Sequence, residues 1–278
     1  MEEKKEKHIV NFSGGKDSTA MLLRMIELEM PVDEIIFSDT GAEFPELYEY
    51  IKRVEKYIGR KVKIVYPDKT FEECFWTKYK TGKFEGKIRG FPRVILPCWW
   101  TKDGKIRPLD KANKGATHVY IGIAADESQR QTKDVRKKKI YHYPLIEWGW
   151  SEQDCADYLN DRNLFNPLYV NFNRTGCWFC PKQSLGSLFT LWKNYPDLWI
   201  KLKKWEELNV RETGRMIKID KSLDELQKAF EGGKIPKSSP KYECWNGCES
   251  VKKAFLTMEQ ENLSKPDIPD INIEDCDI

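Results

Sequence analysis

The 278-residue sequence contains no apolar run near the roughly 18 residues that a membrane-spanning helix needs, so no helical span is expected. Its opening, MEEKKEKHIVNF, is charged and then strand-like, with neither the apolar stretch nor the small-residue cleavage site of a secretory signal. These absences predict a cytoplasmic protein with no membrane partner. Charge of one sign is scarce too: 47 Lys and Arg against 44 Asp and Glu leave a net charge of +3, so the whole-molecule field marks out no partner. Only three histidines occur, His8, His118 and His142. None has an H-x-E or H-x-x-x-H companion, each falls in or beside a strand-like run, and all three read as structural. No internal repeat is present, and nothing in the sequence fixes an oligomeric state. Cysteine is the exception to this sparseness. Eight cysteines in a chain of this kind argue against a disulfide framework and for metal or redox chemistry at some of them.

What is present begins with alternation. EKHIVNF, STAMLLRMIELE, DEIIFSD, PELYEYIKRVEKYIG and KVKIVYP switch between strand and helix periodicity, which predicts an α/β fold with a parallel sheet and helices on both faces. THVYIGIAA at 117–125 adds a strand, and KIYHYPLIEW at 139–148 a short one. Residues 68–116, mixed and rich in lysine, glycine and aromatics, read as an insertion or irregular connection. From Ser151 the pattern becomes helical: SEQDCADYLNDRN opens with an N-cap serine and first-turn carboxylates, and a Trp and Leu stripe over 188–205 reads as core packing. The chain thus divides into an α/β domain at 1–148, a helical, cysteine-bearing region at 149–263, and an acidic, proline-broken tail at 264–278 expected to be mobile. RQTKDVRKKK at 130–139 is a dense basic block that suits a solvated face or a phosphate or nucleic-acid contact.

The sharpest signal is SGGKDST at 13–19, between the strand HIVNF and a helix. Two glycines let the backbone approach an anion closely. The free N–H groups of the helix starting near Asp17 and Ser18 point into the turn, where the helix dipole favours phosphate. This is no Walker A loop, because the glycines are adjacent and an aspartate follows the lysine. Beside phosphate, Asp17 would be repulsive unless it caps the helix or binds Mg²⁺ shared with the phosphates.

S-G-G-x-D-S after a first strand resembles the PP-loop of the adenine nucleotide α-hydrolase superfamily, the N-type ATP pyrophosphatases. Further segments are similar to its phosphoadenosine phosphosulfate reductase-like family: IIFSDTGAEFPELYEYI, IGIAADESQR, and YPLIEWGWSEQDCADYLNDRNLFNPLYVNFNRTGCWFCP. The likeness runs with gaps from about residue 8 to 185. It implies that Ser13, Gly14, Gly15, Asp17, Ser18 and Thr19 cradle the phosphates of ATP or a related adenylate, with Lys16 as a cation. Asp39, Thr40 and Gly41, at the carboxyl edge of the second strand, are then placed for ribose, adenine or metal. Arg130, after the D-E-S triplet, would meet phosphate or sulfate; the plain alternative is a surface arginine. Asp126 and Glu127 could equally be turn or cap residues.

Two close-spaced cysteine pairs, Cys177 and Cys180 in GCWFCP and Cys244 and Cys248 in ECWNGC, indicate a metal site. Spacing alone does not separate tetrahedral Zn²⁺ from an iron–sulfur cluster. Cys98, in VILPCWWTKDGKIRPL, resembles a further family segment. The resemblance favours a [4Fe-4S] cluster on Cys98, Cys177, Cys180 and Cys248, with Cys244 as substitute; zinc on Cys177, Cys180, Cys244 and Cys248 is the alternative. Cys74, Cys155 and Cys276 look isolated.

The resemblance implies an enzyme that cleaves the α–β phosphate bond of ATP and adenylates an acceptor for sulfur transfer to a nucleic acid, tRNA or DNA, with a sulfur-donor protein as partner. Backbone N–H groups, Lys16, a Mg²⁺ held near Asp17, and Arg130 would then stabilise charge on the leaving pyrophosphate. The alternative is reduction of a sulfonucleotide to sulfite, but the family's E-C-G-L-H nucleophile segment is lacking. Here the terminal cysteine sits in EDCDI, where flanking carboxylates disfavour the thiolate. A non-catalytic nucleotide-sensing or nucleic-acid-binding subunit is a third reading, against which the intact SGGKDS argues.

Overall fold

Five short strands, β1 (His8–Phe12), β2 (Glu34–Ser38), β3 (Lys63–Val65), β4 (His118–Ile121) and β5 (Ile140–His142), form one parallel sheet in the order β3-β2-β1-β4-β5. The computed structural model describes residues 6–131 and 139–236. Successive crossovers therefore run outward from β1 in both directions, and the chain reverses at β1, which leaves a crevice between β1 and β4 at their carboxyl ends. In open α/β sheets ligands bind at that switch point. Both glycine-bearing turns that follow these two strands, Gly14-Gly15 and Gly122, open there.

Helices lie on both faces, as the alternation predicts. On one face Ile9, Ile36 and Val119 pack with Leu109 and Ala112 of α4 (Arg107–Ala112). On the other, α1 (Lys16–Glu27) packs against β1 and against α6 (Glu152–Asp161). The helix α2 (Pro45–Ile58) buries Leu47, Tyr50, Ile51 and Val54, spaced at three and four residues, and ends on Gly59 in the left-handed conformation.

The segment at 68–116 carries more order than its composition suggests. It holds α3 (Phe71–Trp76), started by a full capping box on Thr70 and Glu73, and a π-helical turn Thr101–Ile106 that leads into α4. Six-residue helices are too short for periodicity to reveal them. Phe71 anchors an aromatic core, 3.9 Å from Phe179 and 5.4 Å from Trp99 and from Trp205 between ring centroids. Stacked and edge-on aromatics such as these add directional attraction to a large buried area. The cluster fastens this segment to the CWFC loop and to the helices beyond it.

After the four-residue α5 (Pro144–Glu147), α6 opens as expected, with the Ser151 side chain accepting from Asp154 N and the Asp154 carboxylate returning the bond. The helices α7 (Leu185–Asn194), α8 (Pro196–Thr213) and α9 (Leu223–Glu231) follow. Leu188, Leu191, Leu198, Trp199, Leu202 and Trp205 are buried, so the Trp and Leu stripe is core. All these helices share one compact unit with the sheet, Met1–Glu243. Cys244, Cys248, Cys276 and the tail at 264–278 lie outside the described residues, as does the basic block between 132 and 138.

Gly122 sets how closely β4 approaches α1. A Cβ there would stand 2.6 Å from Ser18 Cα and 2.8 Å from Ser18 N, a backbone clash with no flexible atom to give way. Gly122→Ala is expected to lower stability by about 1–3 kcal/mol through overpacking. Gly176→Ala, which meets nothing within 4 Å, should stay close to wild type in the same urea titration.

Candidate functional site

The phosphate-loop candidate is built by its own short hydrogen bonds. Ser13 Oγ lies 2.8 Å from Ser18 Oγ, Ser13 N donates to Ser18 Oγ at 3.1 Å, and the Ser18 and Thr19 hydroxyls sit within reach of the Gly15 carbonyl at 3.1 and 2.9 Å. The two serines thus close the bend and Thr19, fully buried, faces into α1. Gly14 has φ of +71°, and a Cβ on it would meet Leu47 Cδ1 at 2.6 Å, so both backbone and packing demand glycine. The N-cap of α1 is Gly15, with no side-chain cap. The first-turn N–H groups of Asp17 and Ser18 find no acceptor among the described residues, which leaves donors for an anion.

Distant residues hold the loop in place. Asn166 Nδ2 donates to Gly14 O at 2.8 Å, while its Oδ1 accepts from Leu168 N at 2.9 Å, and Asn166 is fully buried. Tyr169 Oη accepts from Lys16 N at 3.3 Å. Lys16 itself is 2% exposed, and its Nζ contacts Asp17 Oδ1 at 2.8 Å and Glu152 Oε1 at 2.9 Å. Burial works to lower the Lys16 pKa, but Asp17, Tyr169 and Glu152 outweigh it, so the ammonium is held charged. The lysine expected to offer a cation to phosphate is thus already engaged by two carboxylates.

Asp17, Glu127 and Glu152 bring one carboxylate oxygen each within 4.8 Å of one another. Glu127 also takes an ion pair from Arg130, which is largely exposed at the end of a 3₁₀ turn, Ala125–Arg130. Burial raises the Asp17 pKa, with Glu152 and Glu127 adding to it and Lys16 opposing it. Three carboxylates face two cations here, and every donor is oxygen, which is the ligand chemistry Mg²⁺ requires. The residues therefore fit the Mg²⁺ role that the sequence left open for Asp17. Glu152 gave no sequence signal beyond its place in the first turn after an N-cap serine.

Asp39 sits at the carboxyl edge of β2, its Oδ1 accepting from Gly41 N at 2.7 Å and from Tyr48 Oη at 2.9 Å. Gly41 is exposed with φ of +69° and open space around it. Thr40 turns elsewhere: it donates to Glu43 Oε1 at 2.9 Å and lies 3.7 Å from Cys177 Sγ. It links the edge of β2 to the cysteine loop. That loop is also joined through Trp178 N to Ala42 O at 3.0 Å.

Around the cysteine pair the charge is cationic. Arg174 reaches Cys180 Sγ at 3.1 Å, Lys105 pairs with the buried Glu43 at 3.1 Å near both thiols, and Lys218 lies close to Cys180. Burial pushes the Cys177 thiol up to about 12, with Glu43 adding to the effect. Cys98 is partly buried, its carbonyl accepting from Thr101 N at 3.1 Å. Among the described residues no three cysteines bring their Sγ atoms within 4.8 Å of one another. Cys177 and Cys180 thus offer two neighbouring thiols to a four-thiolate site, with Arg174, Lys105 and Lys218 nearby to offset the charge of a bound, deprotonated form, while burial keeps the Cys177 thiol itself protonated. Cys155 is buried on α6 and burial raises its pKa, as it does for Cys74.

An anion-receptive strand–turn–helix thus lies at the switch point of a parallel α/β sheet, next to an oxygen-lined carboxylate cluster. The family model described as phosphoadenosine phosphosulfate reductase domain matches residues 7–183. The chain belongs to that family. Among curated relatives, an uncharacterised Methanocaldococcus jannaschii protein, MJ0066, is 29% identical over 219 residues, covering 74% of this chain and 42% of that protein. Adenosine 5'-phosphosulfate reductase of Staphylococcus saprophyticus is 31% identical over 170 residues, covering 55% of this chain and 62% of the reductase. The chain thus spans about half the length of the curated relatives it matches. Of solved structures, the U34-tRNA thiolase NcsA of Methanococcus maripaludis, described with its [4Fe-4S] cluster, covers 73% of this chain and 72% of its own at 16% identity, with a TM-score of 0.42. No helix of the described residues is long and apolar enough to cross a membrane.

Two outcomes follow from this geometry. Asn166→Ala leaves the Gly14 carbonyl and the Leu168 N–H buried without partners, a loss of about 1–3 kcal/mol that thermal unfolding will show. Protons compete for Asp17 at higher pH than for an ordinary aspartate, because its pKa is raised. Binding of Mn²⁺ as a Mg²⁺ surrogate, followed by paramagnetic relaxation, should therefore weaken on acidification while exposed carboxylates are still ionised, and Asp17→Asn should flatten that profile.

Proposed function

We propose that the protein is a PP-loop ATP pyrophosphatase that cleaves the α–β phosphate bond of ATP and adenylates an acceptor, for sulfur transfer to a nucleic acid. The observation that carries this reading is the loop itself, with free first-turn N–H groups beside the Asp17, Glu127 and Glu152 cluster. Pyrophosphate leaving the α-phosphorus would be received by the Gly14-Gly15 bend and the N–H groups of Asp17 and Ser18, fixed donors whose orientation costs nothing at the moment of bond breaking. The acceptor oxygen takes the α-phosphorus, and no protein nucleophile is needed. Asp17, Glu127 and Glu152 would hold Mg²⁺, which when bound offsets charge on the phosphate oxygens. Asn166 and Tyr169 keep the bend in shape, Lys16 holds Asp17 and Glu152 together, and Arg130 adds a guanidinium at the mouth. Asp39 and Gly41 stand where the nucleoside would lie. Cys177 and Cys180 would supply two thiolates to a [4Fe-4S] cluster, or to zinc, beside the β2 edge. Arg174, Lys105 and Lys218 suit the negative charge of either. Cys98, Cys244 and Cys248 remain the candidates for the other ligands.

A second reading is favoured by the 31% identity to an adenosine 5'-phosphosulfate reductase. It would place a sulfonucleotide on the same loop and release sulfite. The absence of an E-C-G-L-H segment in the sequence ranks it behind the first.

The test is anaerobic purification followed by metal, sulfide and product analysis. The expected outcome is pyrophosphate from ATP with Mg²⁺ together with an adenylated nucleic-acid acceptor, AMP being freed once a sulfur nucleophile is added, all reduced at least about a hundredfold in Asp17→Asn, with iron and sulfide in the protein. Sulfite from adenosine 5'-phosphosulfate with a thiol reductant, and no pyrophosphate from ATP, would establish the second reading instead. Zinc without iron would reassign the thiols and leave the nucleotide chemistry standing.

A further inference from the structure

At the edge of the sheet opposite the phosphate loop, strand register gathers the three histidines that look isolated in the sequence. His8 opens β1, His118 opens β4 and His142 closes β5; β1 pairs His8 with His118, and β5 pairs His142 with Tyr120. Side chains alternate along strands, so His8, His118, Tyr120 and His142 all project from one face. The His8 and His118 rings stack with centroids 4.3 Å apart, and Tyr120 stacks on His142 at 4.9 Å. His8 Nδ1 lies 2.9 Å from Tyr120 Oη, and His118 Nδ1 lies 2.8 Å from His142 Nε2.

Glu6 completes the group. Its Oε2 stands 3.3 Å from His118 Nε2 and 4.0 Å from His8 Nε2. The stretch that carries it is pinned from both sides: His118 N donates to Lys7 O at 3.0 Å, Lys7 N to Thr117 Oγ1 at 3.2 Å, and His8 N to Asp33 Oδ2 at 2.7 Å. Yet His118 Nε2, buried, makes no hydrogen bond to the carboxylate or to anything else. Native interiors rarely leave a ring nitrogen so, and such an atom asks for an explanation, an ion among them.

The tautomers agree. His142 Nε2, at 2.8 Å, can accept a hydrogen bond from His118 Nδ1–H. Tyr120 Oη can accept one from His8 Nδ1–H. With each Nδ1–H donating in this way, each Nε2 would present its lone pair toward Glu6, the tautomer in which imidazoles ligate metals.

We propose that Glu6, His8 and His118 form a divalent transition-metal site of the Zn²⁺ type, with Tyr120 and His142 as the groups that orient its two imidazole ligands. One nitrogen or oxygen of each ligand residue lies within 4.8 Å of the others. Tetrahedral coordination at about 2.0–2.1 Å draws them to roughly 3.3 Å, which requires the stacked rings to tilt toward each other. Two imidazoles and one carboxylate suit Zn²⁺, Co²⁺ or Ni²⁺ and not Mg²⁺, so this site and the carboxylate cluster at the phosphate loop select different ions. The ion ties the entry of β1 to that of β4. It does not depend on the chemistry proposed for the opposite edge.

Anaerobic titration of the full chain with Co²⁺, read by visible absorption, tests this. Expected is one equivalent that gives d–d bands without thiolate charge transfer, persists in Cys177→Ser, and binds at least about tenfold more weakly in His118→Gln. Should His118→Gln fail to fold, Glu6→Gln answers the same question, because Glu6 is exposed and precedes β1. That variant should lose affinity to a like degree while its metal-free circular dichroism and melting match wild type. Cobalt bound only with thiolate bands, no bound equivalent, or affinity unchanged in both variants would overturn the site.

Discussion

The junction between β1 and α1 governs the rest of the molecule. A helix begins there without a side-chain cap, at the central strand of a parallel sheet, so its first N–H groups are available to a ligand. A capping residue at Gly15 would satisfy those donors itself and close the site. Leu47 leaves no room for a side chain on Gly14, the backbone of Ser18 leaves none on Gly122, and Asn166 and Tyr169 grip the bend from the far end of the chain. The anion-receptive geometry is therefore imposed by surrounding packing and does not wait for ligand.

Charge is arranged on the same principle. Lys16 is buried between Asp17 and Glu152, and a buried ion pair gives little net stability once desolvation is counted. What the arrangement provides is position: a fixed carboxylate cluster, short of positive charge, beside donors that favour phosphate. The cysteine loop shows the opposite balance, with arginine and lysine gathered at two thiols. Thr40 and Ala42, just after β2, connect that loop to the edge of the sheet. Family membership over residues 7–183 spans both regions.

Much of this was legible in the sequence, and the limits are physical. The strand–turn–helix, the N-cap at Ser151 and the adjacency of Cys177 and Cys180 are local features, written in neighbouring residues. The contact of Lys16 with Glu152 spans 136 positions and that of Asn166 with Gly14 spans 152, and no periodicity reports such pairs. The histidines illustrate the same limit. Read along the chain they are three unrelated residues; strand register makes them neighbours. The short helices between residues 68 and 116 escaped because six residues cannot display a helical repeat, although their aromatics hold the cysteine loop in place.

The central claim is that the bend at 13–19 receives the phosphates of an adenine nucleotide. Backbone amide resonances of the isotope-labelled chain, titrated with ATP and Mg²⁺, address it directly. The account predicts saturable shifts that are largest at Gly14, Gly15, Asp17 and Ser18, with a second set at Asp39 to Gly41. Saturable ATP binding that leaves those four amides unmoved, or no binding at millimolar nucleotide, would contradict it.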